Sequence, residues 1–377
     1  MTATVLERAR GKRWLHKLGL ALGSFMFCVV LIEAVLRLNG YGDLEIYLPD
    51  PKLYWRLKPN QECFTKVDHH PVHINSLGTR GPEFAAEKPA NVIRILSLGD
   101  SRTFGWGLPD EATYSRRLER LLQEYFDGRH QTSNIEHPTT NAPLTPGLSP
   151  SDGERKNPRQ ARVESWRAEV INAGVNAWSF PQMQVFFRDF GLKWSPNFVV
   201  LGEANLWTQF SEENSQKFVK QFMSRVRLKN LLRRSAIYHF AIEVKLQSFY
   251  QRHRTKFIPL DPKQDPFFKE QQQRDPDAVF RTAVEDLCRT AENNGVNTVL
   301  LFLPTLDELS ATGESRMLAA KRAVAVKLGV PVVDLTPDLA ARGKALYLEA
   351  DPVHLNAAGN DVVAGQLFKT ISDLLGR

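Results

Sequence analysis

The chain reads Val-Ile-Arg-Ile-Leu-Ser-Leu-Gly-Asp-Ser over residues 92–101. Residues 92–98 are almost all apolar, which is the composition of a strand buried inside a parallel sheet. Glycine and aspartate follow this strand, and a helical pattern begins after Ser101. Ligands of open α/β sheets bind at the carboxyl ends of the strands. This stretch therefore predicts a parallel sheet, with Ser101 at the edge where a ligand binds.

Strand and helix patterns alternate five times between residue 91 and the end of the chain. The predicted strands are 92–98, 169–174, 198–202, 298–303 and 330–335. The predicted helices are 111–126, 180–192, 278–294, 314–328 and 356–375. Asn356 is the predicted N-cap of the last helix. This alternation predicts an α/β fold with three layers (α/β/α) at residues 91–377, with a five-stranded parallel sheet and right-handed crossovers.

Two insertions and a lead-in segment depart from this pattern. Residues 128–166 are rich in Pro, Ser, Thr, Asn and Gly and lack an apolar period, which predicts a disordered insertion. Residues 212–275 are polar and helix-prone, which predicts a helical insertion or cap beside the site. Residues 39–90 are expected to form an irregular lead-in, or linker, to the first strand of the domain.

The lead-in contains four side chains of types that bind metals, Asp68, His69, His70 and His73. Neighbouring histidines point apart in a strand, and no further ligand motif accompanies them. A solvated segment is therefore the favoured interpretation, and we predict neither a metal nor another cofactor. Cys63 and Cys288 are candidates for one disulfide in an oxidising compartment, and a single possible pair leaves that question open.

An apolar stretch near the N-terminus predicts a membrane anchor. Residues 18–38 form a run long enough to span the roughly 30 Å core of a bilayer as a helix. Glu33, inside this run, is expected to pair with Arg37 or to reach the outer interface. A cleaved signal peptide is the alternative, but no small-x-small cleavage site follows the run. The uncleaved anchor is therefore favoured.

The charge distribution sets the orientation of this anchor and argues against nucleic acid. Residues 1–17, a basic tail, contribute +4 to the net charge of +7. Positive charge on the N-terminal side keeps the tail in the cytoplasm. We therefore expect a single-pass protein of the bacterial inner membrane whose main domain faces the periplasm. The other 360 residues carry only +3, which does not support nucleic-acid binding.

The two ends of the α/β region offer the groups needed for nucleophilic catalysis. A serine hydroxyl needs a neighbouring base, and His354 is the best candidate to activate Ser101. Asp351 lies three positions before His354, close enough in a turn to orient the imidazole. Candidate donors to an oxyanion are the backbone N–H of Ser101, the backbone of Gly174 and the side-chain amide of Asn205. Phe104 and Trp106 are expected to pack near this site.

Four segments stand in the order of the blocks of the SGNH/GDSL hydrolases, which the chain resembles: Gly99-Asp-Ser101, Asn172-Ala-Gly174, Gly202-Glu-Ala-Asn205 and Asp351-Pro-Val-His354. The resemblance covers roughly residues 74–377 without the insertions. Residues 74–81 and 94–107 are similar to membrane-anchored bacterial members, which often accompany exopolysaccharide or cell-envelope genes. The resemblance implies a flavodoxin-like sheet and the nucleophile, base and orienter named above. It further implies Ser101, Gly174 and Asn205 as oxyanion donors.

Two positions depart from the pattern of that family. Its third block normally reads Gly-x-Asn-Asp, whereas this chain has Gly202-Glu-Ala-Asn205. Aligning the glycine places Ala204 at the oxyanion position, and aligning the asparagine places Glu203 where glycine is expected. The second alignment is preferred because the amide of Asn205 is chemically useful. Arg102 follows the nucleophile, and it either steers an anionic substrate or forms a salt bridge, whereas Asp100 is expected to hold the turn.

Three functions are compatible with these residues. The first is an esterase that removes acyl groups from a cell-envelope glycan or lipid. The second is a polysaccharide O-acetyltransferase with the same triad, in which a sugar hydroxyl replaces water. The third is a catalytically silent, anchored subunit of an exopolysaccharide export or synthesis complex, which the altered third block favours. The expected partners are the acylated substrate, the membrane and proteins of an exopolysaccharide pathway.

Overall fold

The protein is described by a computed structural model that covers residues 2–133, 166–204, 226–252, 276–349 and 351–376. Its strands are β1 Tyr47–Asp50, β2 Tyr54–Leu57, β3 Gln61–Phe64, β4 Pro71–Ile74, β5 Val92–Gly99, β6 Arg167–Gly174, β7 Phe198–Leu201, β8 Asn297–Phe302 and β9 Val332–Asp334. Its α-helices are α1 Thr2–Leu38, α2 Ser101–Phe104, α3 Tyr114–Ser133, α4 Phe180–Asp189, α5 Ala236–Arg252, α6 Pro276–Asn293, α7 Leu306–Ser310, α8 Arg316–Leu328, α9 Thr336–Ala340 and α10 Ala357–Leu375. A further helical segment occupies residues 226–232.

The main sheet confirms the predicted α/β architecture. In the part of the chain that is described, five strands form one parallel sheet in the order β6-β5-β7-β8-β9. This is the flavodoxin-like order, in which the first strand lies beside the second and the third. Every predicted strand and helix from residue 91 onward is present, with ends shifted by a few residues. Asn356 caps α10, because its side chain accepts the N–H of Gly359.

Successive side chains of β5, an interior strand of the sheet, are buried in two different hydrophobic cores, one on each face of the sheet. Ile95 packs with residues of α3 and α10 on one face of the sheet, and Leu96 packs with residues of α4, α6 and α8 on the other. Parallel strands are buried on both faces by their crossover helices, which explains why residues 92–98 are apolar without alternation. The strand therefore holds Ser101, just beyond its end, on a rigid support.

Residues 39–90 are more ordered than the irregular lead-in that we expected. They form two antiparallel hairpins, β1–β2 and β3–β4. Leu53, Cys63 and Ile74 from these hairpins are buried in the same core as α4 and α6. The signal in the sequence is weak because each strand has only four residues. Cys63 and Cys288 are both buried with free thiols, so they do not form the candidate disulfide.

Two histidines of this segment, His69 and His73, contact carboxylates. The Nε2 of His69 lies 2.6 Å from Glu243, and the Nδ1 of His73 lies 2.5 Å from Glu62. Among the described residues, no group of three or more His, Cys, Asp or Glu side chains is placed to hold a metal ion. His69 therefore links the segment between β3 and β4 to α5, whereas His73 pairs with the opposite strand of its own hairpin.

Helix α1 is long and apolar enough to cross a membrane over Trp14–Leu38, with a mean hydropathy of 2.3. Residues 2–17, expected as a basic tail, continue the same helix. Glu33 pairs with Arg37 at 2.9 Å, as expected. It also accepts the N–H of Ala236 at 2.8 Å and of Ile237 at 3.1 Å. This carboxylate thus caps the first turn of α5 and joins α1 to the helical insertion.

The two predicted insertions are described only in part. Helix α3 extends to Ser133, so the first residues of the segment 128–166 are helical, and residues 134–165 lie outside the described part of the chain. Within the segment 212–275, residues 226–252 are mainly helical, as predicted. Residues 212–225 and 253–275 also lie outside the described residues.

Candidate active site

Ser101, His354 and Asp351 form a hydrogen-bonded line at the carboxyl edge of the sheet. The Nε2 of His354 is 2.8 Å from the Oγ of Ser101, and its Nδ1 is 2.7 Å from the Oδ2 of Asp351. Both distances lie in the range expected for a nucleophile, its base and an orienting carboxylate. With its proton on Nδ1, a neutral imidazole presents the Nε2 lone pair to the serine hydroxyl. The structure therefore brings together side chains that are 253 positions apart.

Asp351 is held in place by the turn that carries His354. Its Oδ1 accepts the backbone N–H of Val353 at 2.8 Å and of His354 at 3.2 Å. Burial raises the pKa of Asp351, but the charge and the hydrogen bond of His354, together with the two backbone N–H groups, lower it by more. The net pKa lies below its usual value. Asp351 is therefore ionised at neutral pH and stabilises the imidazolium that forms when His354 takes a proton.

Ser101 is the first residue of the short helix α2, which begins directly after β5. The preceding Asp100 is its N-cap, because its Oδ1 accepts the backbone N–H of Arg102 at 2.9 Å. The guanidinium of Arg102 also pairs with Asp100 at 2.9 Å and donates to the carbonyl of Leu303 at 3.2 Å. Burial raises the pKa of Asp100, but the charge and hydrogen bonds of Arg102 lower it further than burial raises it. Asp100 thus holds the turn, and Arg102 is salt-bridged to it.

Gly174 lies at the end of β6, where the backbone of α2 passes very close. A Cβ on Gly174 would lie 2.3 Å from the backbone nitrogen of Phe104, so any side chain would displace the nucleophile helix. The N–H of Gly174 donates to the side chain of Asn172 at 3.0 Å. Asn172 in turn donates to the carbonyl of Thr103 at 2.9 Å. The glycine therefore permits contact between β6 and α2, and Asn172 fastens the two together.

The third block, Gly202-Glu-Ala-Asn205, departs from the family pattern and contributes a buried carboxylate next to the serine turn. Glu203 is fully buried and pairs at 2.8 Å with Lys321, which is also fully buried. The backbone carbonyl of Glu203 accepts the N–H of Asp100 at 2.8 Å, which ties this segment to the serine turn. Ala204 has no side-chain donor for an oxyanion. Asn205, the donor that we prefer, lies outside the described residues.

Arg80 is a residue of the site that the sequence analysis did not identify. Its side chain is buried and donates to the carbonyls of Phe104 at 2.8 Å, Gly105 at 2.7 Å, and Leu108. It also pairs with Asp110 at 2.7 Å. These carbonyls belong to the end of α2 and the loop after it. A buried guanidinium therefore satisfies the orphan carbonyls at the end of α2, the helix that begins with Ser101.

Trp106 and Phe104 pack near the site, in the positions that the sequence suggested. Phe104 is buried under α2, with the guanidinium of Arg80 4.7 Å from its ring centre. Trp106 stacks on the imidazole of His354, with ring centres 5.4 Å apart and an angle of 19° between the planes. The indole limits the rotation of the imidazole and covers one of its faces.

Replacing Arg80 by methionine should reduce turnover and stability together. The replacement leaves Asp110 without its buried partner and three carbonyls without a donor. Breaking a buried ion pair typically costs about 3–5 kcal/mol. We expect a loss of that size in the free energy of unfolding and at least a tenfold lower kcat, measured by thermal unfolding and ester turnover. Arg322→Met is the matched control, because Arg322 is paired with Glu314 and Asp334 but is 53% exposed. Equal effects of the two variants would contradict the role of Arg80.

No protein-family model and no curated protein sequence matches this chain. Several solved structures are similar to it at low sequence identity. One is a two-domain esterase active on acetylated mannans, with 13% identity over 76% of this chain, half of that chain and a TM-score of 0.41. Another is the lipase/acylhydrolase from Enterococcus faecalis, with 14% identity over 74% of this chain, 94% of that chain and a TM-score of 0.38. A third is the esterase EstA from Pseudoalteromonas sp., with 11% identity over 76% of this chain, all of that chain and a TM-score of 0.39.

The order of the strands and the contacts of Ser101, Asp351 and His354 can be compared with the arrangement that the family resemblance implies. Ser101 follows the first strand of the sheet, and Asp351 and His354 precede the terminal helix. Their hydrogen bonds join in one line. In these respects the chain has the fold and the triad arrangement that its resemblance to the SGNH/GDSL hydrolases implies.

Proposed function

We propose that this protein is a serine esterase that removes an acyl group from an O-acylated glycan or lipid of the cell envelope. The observation that carries the proposal is the line of hydrogen bonds from Ser101 through His354 to Asp351. A serine, a base and a buried carboxylate in this geometry are the minimum needed to form an acyl-enzyme. The covered face of His354 and the rigid turn after β5 support the same interpretation.

The reaction begins when the Oγ of Ser101 attacks the carbonyl carbon of the ester. His354 Nε2 takes the serine proton as the new C–O bond forms, and the carbonyl oxygen becomes an oxyanion. The tetrahedral intermediate collapses, the alcohol leaves with the proton from His354, and an acyl group remains on Ser101. Water then attacks the acyl-enzyme with His354 again as base, which releases the acid and restores the serine.

The oxyanion needs donors fixed in advance. The N–H of Ser101 is at the start of α2, where backbone N–H groups have no partner within the helix. The N–H of Gly174 is a second candidate, and it would exchange its bond to Asn172 for the oxyanion. Asn205 is the third. Removing one such donor typically lowers kcat about 10²–10³-fold, so three donors supply a large share of the catalysis.

The location that we propose is the bacterial inner membrane, with the α/β domain on the periplasmic side. Helix α1 supports this proposal by its length and composition. The basic residues near its N-terminus favour a cytoplasmic tail. The helical segment 226–232 and helix α5, which Glu33 contacts, expose several large apolar side chains, Leu228, Leu231, Leu232 and Phe240. These side chains favour a position close to the membrane surface.

The second candidate is an O-acetyltransferase that passes the acyl group to a sugar hydroxyl. The same triad serves both reactions, because they share the acyl-enzyme and differ in whether water reaches it. Purified full-length protein in detergent, given an acetyl ester and a glycan acceptor, separates them. Release of acetate without acetylated glycan supports the esterase, and acetylated glycan supports the transferase. A protein that neither turns over esters nor reacts with a fluorophosphonate is instead the silent anchored subunit.

A further inference from the structure

A cavity of about 260 Å³ lies between the first hairpin and the helical segment 226–232. Pockets for drug-sized ligands are typically about 300–1,000 Å³, so this cavity suits a single ring-sized unit. It is lined by aromatic, amide and cationic side chains, which include Tyr47, Trp55, Lys66, Asn176, Lys229 and Arg233. The catalytic steps above use none of these residues.

Trp106 connects the cavity to the catalytic base. The Nζ of Lys66 lies 4.5 Å from the centre of the Trp106 ring, and that ring stacks on His354. β6 ends at Gly174, and Asn176 lies two positions further along the chain. The backbone carbonyl of Asn176 accepts the indole N–H of Trp55 at 3.2 Å. Lys66 and Trp106 therefore form a chain of two contacts from the wall of the cavity to the imidazole of His354.

Positive charge predominates in the cavity. Lys66, Lys229 and Arg233 face a single carboxylate, that of Glu45, which is 3% exposed. Lys66 is paired with Glu45, and Arg233 lies 3.6 Å from it. Burial, and then the charges of Arg233 and Lys229, lower the pKa of Lys66 to about 8, although Glu45 favours the ammonium form. An anion in the cavity would reduce this mutual repulsion.

Besides its cationic side chains, the cavity has aromatic side chains of the kind that bind sugars. The guanidinium of Arg233 lies 5.0 Å from the ring centre of Tyr47. The hydroxyl of Tyr47 accepts a hydrogen bond from Asn176 at 2.7 Å. Trp and Tyr offer apolar faces with polar edges, which match the ring and the hydroxyl groups of a sugar. Cations beside such faces add selectivity for a negative substituent.

We propose that this cavity binds an anionic sugar unit of the acylated substrate, with Lys66, Lys229 and Arg233 holding its carboxylate or phosphate group while the ester lies at Ser101. The inference rests on the proposed function, because it identifies the class of substrate that the same site acts on. An anion-binding cavity would make the enzyme selective for acidic glycans over neutral ones. This selectivity would depend on the sugar unit next to the one that carries the ester.

The test compares three acetylated trisaccharides with the full-length protein in detergent. One carries uronate carboxylates, one is the same molecule after reduction of its carboxylates to hydroxymethyl groups, and one carries a phosphate. We expect kcat/KM to be at least about tenfold higher for an anionic substrate than for the neutral one, since hydrogen bonds to charged groups contribute about 1.5–3 kcal/mol. Added salt should reduce the preference. The better of the two anionic substrates identifies carboxylate or phosphate as the bound group.

Lys229→Glu is the informative variant, because Lys229 lines the cavity and is exposed, so its replacement is compatible with folding. We expect it to remove or reverse the ratio of anionic to neutral kcat/KM. Lys369→Glu is the matched control, since it makes the same charge change at an exposed position on α10. It should leave the ratio as in the unmodified protein. Equal kcat/KM for anionic and neutral substrates, or a ratio unaffected by Lys229→Glu, would overturn the inference.

A binding experiment separates failure of this inference from failure of the proposed function. Titration calorimetry with the uronate and phosphate trisaccharides that lack acetyl groups requires no catalysis. The anionic subsite is supported if either trisaccharide binds the unmodified protein at least about tenfold more tightly than it binds Lys229→Glu. This holds even if no ester is turned over. Turnover of neutral esters, with no binding of either anionic trisaccharide, would leave the esterase in place and remove the subsite.

Discussion

Replacing Ser101 by alanine should lower the rate of ester cleavage by at least about 10⁴-fold, because the acyl group then has no oxygen to which it can be transferred. The change removes one oxygen atom from a half-buried position at the start of α2. The cap from Asp100 and the contacts of Arg80 remain in place. The fold should therefore persist. Turnover of an acetyl ester and the melting temperature are the two measurements.

A fluorophosphonate probe gives the same prediction a direct chemical readout. The probe should label the unmodified protein at Ser101 and should not label Ser101→Ala. Ser310→Ala is the control, because Ser310 is an exposed serine at the end of α7. It should be labelled and active like the unmodified protein. Turnover in Ser101→Ala within tenfold of the unmodified protein would remove Ser101 as the nucleophile.

Replacing Asp351 by asparagine should lower kcat by about 10³–10⁴-fold with little change in KM. The asparagine amide would donate to the Nδ1 of His354, which forces the imidazole proton onto Nε2. His354 then cannot accept the proton of Ser101. Asparagine has nearly the same shape and can still accept the N–H groups of Val353 and His354. Steady-state kinetics on folded protein test this result, and unchanged kcat would contradict the orienting role.

The same variant has a predictable effect on stability as the pH changes. The pKa of Asp351 is lowered in the folded protein, so the folded state binds this proton less readily than the unfolded state. The carboxylate therefore stabilises the fold above its unfolded pKa of about 3.9, and this contribution is lost as the pH falls through the lower folded pKa. The unmodified protein should lose stability relative to Asp351→Asn below about pH 4. A stability difference that stays constant down to pH 2 would show that folding does not lower the pKa of Asp351.

The cationic cavity and the triad would make separate demands on the substrate. The triad would act on the ester, whereas the cavity would select the unit next to the ester by its negative charge. Arg102, which the sequence left as a candidate for steering an anionic substrate, is paired with Asp100. In our proposal, Lys66, Lys229 and Arg233 have that role instead.

Local patterns in the sequence were enough to predict the sheet and to choose the three side chains of the triad. The apolar run before Ser101, the helical periods and the N-cap at Asn356 depend on neighbours in the chain. Each can therefore be recognised without knowledge of the fold. Ser101 and His354 were found because each stands beside the end of a predicted strand or the start of a predicted helix.

Contacts between distant segments were decided only by the tertiary structure. In the sequence, Arg80, Lys66 and Lys321 look like ordinary solvated cations, because burial leaves no periodic mark on a single charged residue. Folding places Arg80 against the end of the nucleophile helix, Lys66 against Trp106, and Lys321 against Glu203. Charges removed from water must be paired, and their partners lie 20 or more positions away along the chain. Local sequence therefore specified the elements and the candidate catalytic groups, whereas the packing of charged side chains between elements shaped the site around them.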